Sequence, residues 1–206
     1  MKNKTSITTI FTDIGGVLLT NGWDRTARKK AIEKFSLDAA ETEERHHLTF
    51  DTYEVGKLTL DEYLERLVFY KKRNFTPEAF KQFMMKQSKP YPEMIALLKA
   101  LKERYHLKVA VVSNEGRELN NYRINKFGLN TFIDFFISSS FVHFRKPDAD
   151  IFRLAVDVAQ TPKQHLLYID DRPLFVQVAA AEGIKGIIHS GYEATVMKLE
   201  TFGLKL

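Results

Sequence analysis

The chain has 206 residues, a hydrophobic share of 44% and a net charge of +5 from 31 basic and 26 acidic side chains, enough for one well-buried domain plus a modest appendage. Acids are interleaved with the basic runs "ARKKAIEK" and "YKKRNF", which read as solvated helix faces, so no nucleic-acid partner is expected. Cysteine is absent, which excludes disulfides, thiolate metal centres and cysteine nucleophiles; no segment is apolar for long enough to span a bilayer, so no membrane partner is expected and the cytoplasm is the expected location.

In chain order, Lys2 and Lys4 precede an apolar run, "ITTIFTD", that stops at Asp13 with no small-residue cleavage site after it. It reads as a first strand rather than a signal peptide. From about Asn21 to Lys89 only helical patterns appear. Thr59 and Glu62 in "TLDE" form a capping box ahead of Leu64, Leu67 and Val68, and "TPEAF" sets Thr76 as N-cap with Pro77 in the first turn. This block is expected to be a helical cap over the C-terminal edge of a sheet, with residues 21–89 as cap and 1–20 plus 90–206 as core.

Beyond it, strand and helix alternate. The helix "PEMIALLKALKERY" spaces Met94, Leu97, Leu98, Leu101 and Tyr105 on one face. Next come the strand "KVAVVSN", the strand "DFFISS" and the helix "DADIFRLAVDVA", with Ile151, Leu154, Ala155 and Val158 at helical spacing. The strand "HLLYIDD", a helix opened by Pro173 and closed by Gly183, and the strand "GIIHS" complete the series. The strands are rich in Val, Ile, Leu and Phe without strict alternation, as in a sheet buried on both sides. The expected fold class is α/β, a Rossmann-like open parallel sheet with helices on both faces and an inserted α-helical cap.

Strand ends carry the chemistry. Asp13, Ser113–Asn114 and Asp170–Asp171 close three strands, and Lys146 in "RKPDADIF" follows a fourth after a short loop. Ligands of open α/β sheets bind outside the carboxyl ends of the strands, so these four groups are expected to meet in one crevice. Singly, each has a plainer reading as a helix cap or turn former. All four in this order are hard to explain that way.

The set resembles the haloacid dehalogenase-like (HAD) hydrolase superfamily, in particular its phosphatase-rich branch with a helical cap after the first strand. "FTDIGGVLL", "VVSN", "RKPDADIF" and "YIDD" look like the four motifs in order, and the cap stretch "YEVGKLTLDEYLERL" is also similar. The resemblance implies Asp13 as nucleophile toward phosphorus, giving an aspartyl-phosphate that water hydrolyses. It implies Mg²⁺ held by Asp13, Asp170, Asp171 and the Gly15 carbonyl, a hard cation suited to oxygen ligands. Ser113 and Lys146 would hold the transferring group, joined by backbone amides of Ile14 and Gly15. Asn114 would touch the substrate or else cap the following helix. The expected partner is a small phosphorylated metabolite; oligomeric state is not encoded.

Two departures stand out. Most phosphatases of this superfamily carry a second Asp two residues after the nucleophile, where this chain has Gly15. Either the substrate has a good leaving group, such as a sugar-1-phosphate or an acyl or aryl phosphate, or Asp24, His46 or His47 of the cap supplies the proton, or phosphate compounds are bound without useful turnover. An Asn often found four residues after the second metal acid is replaced by Phe175. The dehalogenase branch uses the same nucleophile without a metal, but it places an aromatic residue at the Gly15 position and lacks an acid pair such as Asp170–Asp171. A phosphotransferase or mutase is a further alternative. Trp23 either lines the entrance or packs the cap base.

Overall fold

Five parallel strands, β1 (Thr9–Thr12), β2 (Lys108–Ser113), β3 (Phe135–Ser138), β4 (Leu166–Asp170) and β5 (Lys185–Ile188), build one sheet in the order β3-β2-β1-β4-β5. The computed structural model describes residues 5–206, so Lys2 and Lys4 lie outside the described residues. In chain order the helices are α1 (Arg25–Phe35), α2 (Ala39–Glu54), α3 (Leu60–Leu64), α4 (Pro77–Met85), α5 (Pro92–Tyr105), α6 (Arg117–Lys126), α7 (Ser139–Val142), α8 (Asp150–Ala159), α9 (Pro173–Ala181) and α10 (Tyr192–Thr201). A π-helical turn, Glu65–Phe69, extends α3.

Successive strand residues point to opposite faces, and here both faces are covered. Ile10, Val109, Val111, Leu167 and Ile169 pack on Leu97, Leu98 and Leu101 of α5 and Leu199 of α10. Phe11, Ala110, Val112 and Tyr168 pack on Ile151, Phe152 and Ala155 of α8 and on Phe175 and Ala179 of α9. The α/β class expected from the sequence is therefore the observed one. β1 pairs with β2 on one side and β4 on the other, so the connections diverge at its end and leave a crevice there.

Between β1 and β2 the chain forms α1 to α4 with an apolar cluster of their own, including Ala27, Leu64, Val68, Phe80 and Met84. Side chains start these helices as the sequence indicates. Asp24 and Asp38 accept from Ala27 N and Glu41 N at 2.8 Å each, and the Thr59–Glu62 box and the Thr76 cap are present. Leu119 of α6 joins this cluster, closing the helical segment onto the sheet domain. Short bridges Gly15–Leu19 and Leu19–Pro90 bring its two connections together. Among the described residues no helix is long and apolar enough to cross a membrane.

Three expectations shift. The first strand is Thr9–Thr12 rather than Ile7–Asp13, and the last is Lys185–Ile188 rather than Gly186–Ser190, because His189 turns away after bonding Asp170 O through its amide at 2.8 Å. α8 starts at Asp150, not Asp148, whose carboxylate instead accepts from Asp150 N at 3.0 Å. Its buried face runs through Ile151, Phe152, Ala155 and Ala159, while Val158 is 49% exposed. Phe152 and Ala159 share one stripe with Ile151 and Ala155, and Val158 falls just outside it.

Candidate active site

Asp13 follows β1 at the crevice and is buried, in the wall of a cavity of about 340 Å³. Its Oδ1 accepts from Ile14 N at 2.8 Å and lies 3.2 Å from Lys146 Nζ, which pins one oxygen of the carboxylate. Burial raises its pKa to about 6; the Lys146 ammonium opposes the rise and Asp170 adds to it.

Lys146 reaches the same point from the loop after α7, its side chain wholly buried. The ammonium donates to Asp170 Oδ2 at 2.6 Å and to Tyr168 Oη at 2.9 Å. Burial alone would lower its pKa, but Asp13 and Asp170 outweigh that and raise it. Asp170 Oδ1 accepts from Arg172 N at 2.7 Å, and Tyr168 Oη also donates to Oδ2, so the carboxylate is held at both oxygens.

Asp171 completes an acidic cluster. Asp13, Asp170 and Asp171 each present an oxygen, all within 4.8 Å of one another. Asp171 Oδ1 is buried with no hydrogen-bond partner, and burial together with Asp170 raises the Asp171 pKa. Three carboxylates against one ammonium leave an excess of negative charge, and an orphaned buried oxygen points to a missing partner. A hard divalent cation with oxygen ligands fits this donor set. Gly16 makes the arrangement possible: at φ 75° it lies so close that a Cβ there would sit 2.2 Å from Asp171 Oδ2.

The remaining sequence candidates fall around this cluster with different occupations. Ser113 Oγ, at the end of β2, is buried and has no hydrogen-bond partner. Asn114 lines the cavity, but its amide clasps the Lys146 backbone: Nδ2 donates to Lys146 O and Oδ1 accepts from Lys146 N, both at 2.8 Å. It does not cap the next helix, whose N-cap is Gly116. The Ile14 amide is taken up by Asp13 itself. Gly15 lines the cavity, and the space beside its Cα holds the end of another side chain: Asn21 Oδ1 sits 2.7 Å from where a Cβ would stand.

Of the proton donors weighed in the helical segment, Asp24 and His46 line the cavity and His47 is exposed and does not. Asp24 is engaged as the α1 cap. His46 Nδ1 is bonded to Tyr63 Oη at 2.8 Å, and burial, reinforced by Arg28, lowers its pKa to about 4, so it is neutral near pH 7. Trp23 does both things proposed for it: it lines the cavity and packs in the helical cluster, donating to Tyr63 Oη at 3.0 Å.

Four further residues shape the site, of which the sequence singles out only Phe175. Phe175, which stands where the resembling branch often has an Asn, sets its ring 4.9 Å from Lys146 Nζ. Glu115 and Arg123 form a buried ion pair of 2.5 Å in the cavity wall, and burial raises the Glu115 pKa to about 7 against the pull of Arg123. Arg145, next to Lys146, binds Glu54 and Asp51 of α2 at 2.6 Å each, tying the helical segment to the loop that carries the lysine. Only the adjacency of Glu115 to "VVSN" and of Arg145 to Lys146 could have drawn attention to them.

Comparison with known proteins places this geometry. The haloacid dehalogenase-like hydrolase family matches residues 7–183. Pyrimidine 5'-nucleotidase YjjG of Escherichia coli (strain K12) is 30% identical over 114 residues, which is 55% of this chain and 47% of that protein, so the match spans about half of the relative. A HAD family enzyme, bt-2542 of Bacteroides thetaiotaomicron, solved with magnesium and inorganic phosphate, superposes with a TM-score of 0.74 at 21% identity over 88% of this chain and 93% of that one. The L-2-haloacid dehalogenase RSc1362 does so at 0.64 with 17% identity over 88% and 86%. With four strand-end motifs around one crevice and a family match over most of its length, the chain belongs to the haloacid dehalogenase-like hydrolases.

Proposed function

We propose that the protein is a Mg²⁺-dependent phosphatase that hydrolyses a small phosphorylated metabolite through an aspartyl-phosphate on Asp13. The observation that carries this reading is the triad Asp13, Asp170 and Asp171 within 4.8 Å, with Lys146 Nζ 3.2 Å from Asp13. The carboxyl groups of the triad would hold the cation, with the Gly15 carbonyl as a further ligand. When bound, Mg²⁺ supplies positive charge that lets a phosphate dianion approach three acids. The bt-2542 complex with magnesium and phosphate supports the choice of ligands by likeness of fold.

The chain's own groups then divide the work. Asp13 attacks phosphorus with the oxygen not pinned by Ile14. Lys146 neutralises the nucleophile's side of the reacting group, and Ser113 Oγ, unpartnered in the protein, donates to a phosphoryl oxygen. Asn114 acts by fixing the Lys146 backbone. The helical segment, residues 21–89, serves as a cap over the crevice and limits the entry of bulk water, its aromatic wall of Trp23, His46, Phe50 and Tyr53 facing the leaving group.

No acid stands at position 15, and general acid–base help is worth ~10²–10⁴-fold, or roughly 3–5 kcal/mol of barrier. The enzyme therefore favours good leaving groups such as sugar-1-phosphates and acyl or aryl phosphates. The same absence favours, as a second reading, slow water attack and transfer of the phosphoryl group to an alcohol, as in a phosphotransferase. Phosphate release from a panel of phosphate esters, with and without Mg²⁺, tests the proposal. Release that needs the metal and falls at least about a thousandfold in Asp13→Asn is expected; release unchanged in Asp13→Asn, or halide release from 2-haloacids without metal, would overturn it.

A further inference from the structure

The side chain that occupies the place beside Gly15 is Asn21. Its Oδ1 stands 2.7 Å from the position a Cβ at residue 15 would take, so the carboxamide lies directly over the Gly15 Cα. Asn21 is half-buried and lines the cavity shared by Asp13, Ser113 and Lys146. Among the described residues no protein group hydrogen-bonds its carboxamide, although a half-buried amide ordinarily finds partners. Its donors and acceptor are left to whatever enters the cavity.

The backbone beneath it is fixed. Thr20 N donates to Lys89 O at 2.8 Å, Thr20 Oγ1 to Gln87 O at 2.9 Å, and Lys89 N back to Thr20 Oγ1 at 3.0 Å. Thr20 O accepts from Arg123 at 2.6 Å, and Arg123 is itself locked to Glu115. Asn21 thus stands on a stretch of chain clasped from both connections of the helical segment and from α6. A side chain so supported can orient a ligand at little entropic cost.

We infer that Asn21 is a catalytic residue that takes the place left open by Gly15, its carboxamide holding the leaving oxygen of the substrate and then the attacking water. This rests on the phosphatase reading above. A carboxamide orients but does not exchange a proton at these steps. As the Asp13 oxygen bonds to phosphorus, the electron pair of the breaking P–O bond goes to the leaving oxygen, which receives a hydrogen bond from Asn21 Nδ2 and takes its proton from solvent. In the second half, water oxygen bonds to phosphorus, the pair of the P–O(Asp13) bond returns to the carboxylate, and the water proton passes to solvent. The inference also explains why an acid added at position 15 alone would gain less: its Cβ would displace the Asn21 carboxamide.

Three variants test this: Asn21→Ala, the isosteric Asn21→Asp, and Gly15→Asp combined with Asn21→Ala. In Asn21→Ala, a three- to tenfold loss of kcat/KM on aryl phosphates and a steeper dependence on leaving-group pKa are expected. Asn21→Asp is expected to gain at least tenfold on alkyl phosphates below neutral pH, with a new acidic limb in its pH profile. The double variant is expected to gain in the same way, and Gly15→Asp alone to gain less. Independently of turnover, calorimetry with vanadate and Mg²⁺ should show a three- to tenfold weaker affinity in Asn21→Ala. If wild type turns over no ester but Asn21→Ala still weakens vanadate binding, the phosphatase reading fails and the Asn21 contact stands. An unchanged leaving-group slope together with unchanged vanadate affinity in Asn21→Ala would overturn the inference.

Discussion

Phe175 holds its ring 4.9 Å from the ammonium of Lys146, so a cation–π contact supports the lysine in addition to its two carboxylates. The ring is buried and desolvated, where such contacts are worth up to about 2 kcal/mol. Phe175→Leu keeps most of the volume and removes the contact. A loss of about 1–2 kcal/mol in urea unfolding is expected, with kcat reduced only severalfold because Asp13 and Asp170 still hold the ammonium.

Gly16 and Asp171 give a sharper prediction. A methyl group on Gly16 would stand 2.2 Å from Asp171 Oδ2, at a φ of 75° that side chains resist. Gly16→Ala must push the carboxylate away from the cluster. On the proposed reading, the Mg²⁺ concentration giving half-maximal phosphate release is expected to rise by about tenfold or more, and stability to fall by roughly 1 kcal/mol or more. Metal titration of activity, beside a thermal melt, separates the two effects.

Arg123 neutralises Glu115 inside the cavity wall, both side chains almost fully buried. Arg123→Met strands the carboxylate and also releases Thr20 O. Removing one partner of a buried pair costs about 3–5 kcal/mol when the other stays charged; protonation of Glu115 relieves part of this, so denaturant unfolding near neutral pH should show a loss below that range, and a larger one at higher pH. Burial already raises the Glu115 pKa to about 7, so in the variant the carboxyl is expected to be protonated at neutral pH.

His46 sets a pH dependence of stability. Its pKa is about 4 in the folded protein and ~6.5 when unfolded, so between these values the unfolded chain binds the extra proton. The stability it contributes is complete above about pH 6.5 and is lost as pH falls toward 4. The ring is partly exposed, which limits the effect to about 1–2 kcal/mol. The unfolding free energy of His46→Gln should decline less steeply than wild type across this window; parallel curves would contradict the assignment.

The sheet and the four chain-separated groups at its edge were readable because two-faced burial leaves an apolar run that ends abruptly in Asp13, Ser113 or Asp170. Helix starts at Thr59, Thr76 and Pro173 were readable for a similar reason: capping is local chemistry within three or four residues. What stayed hidden depends on contacts between distant parts of the chain. Nothing near Phe175 announces that its ring will lie beside an ammonium 29 positions earlier. Asn114 carries turn propensity, yet its amide is used on Lys146, 32 residues away. Asn21 sits in a stretch with turn character, and only the folded chain brings it over Gly15. Val158 shows the other limit, since two helical registers compete in "DADIFRLAVDVA" and burial chooses the one through Phe152.

The covalent step proposed on Asp13 is tested directly by mixing the protein, Mg²⁺ and an aryl phosphate, quenching in acid within milliseconds, and mapping the modified peptide by mass spectrometry. One phosphoryl group on Asp13, absent when the metal is chelated and absent in Asp13→Asn, is the expected result. Rapid phosphate release with Asp13 unmodified at every quench time, or a phosphoryl group on another residue, would contradict nucleophilic catalysis by this aspartate.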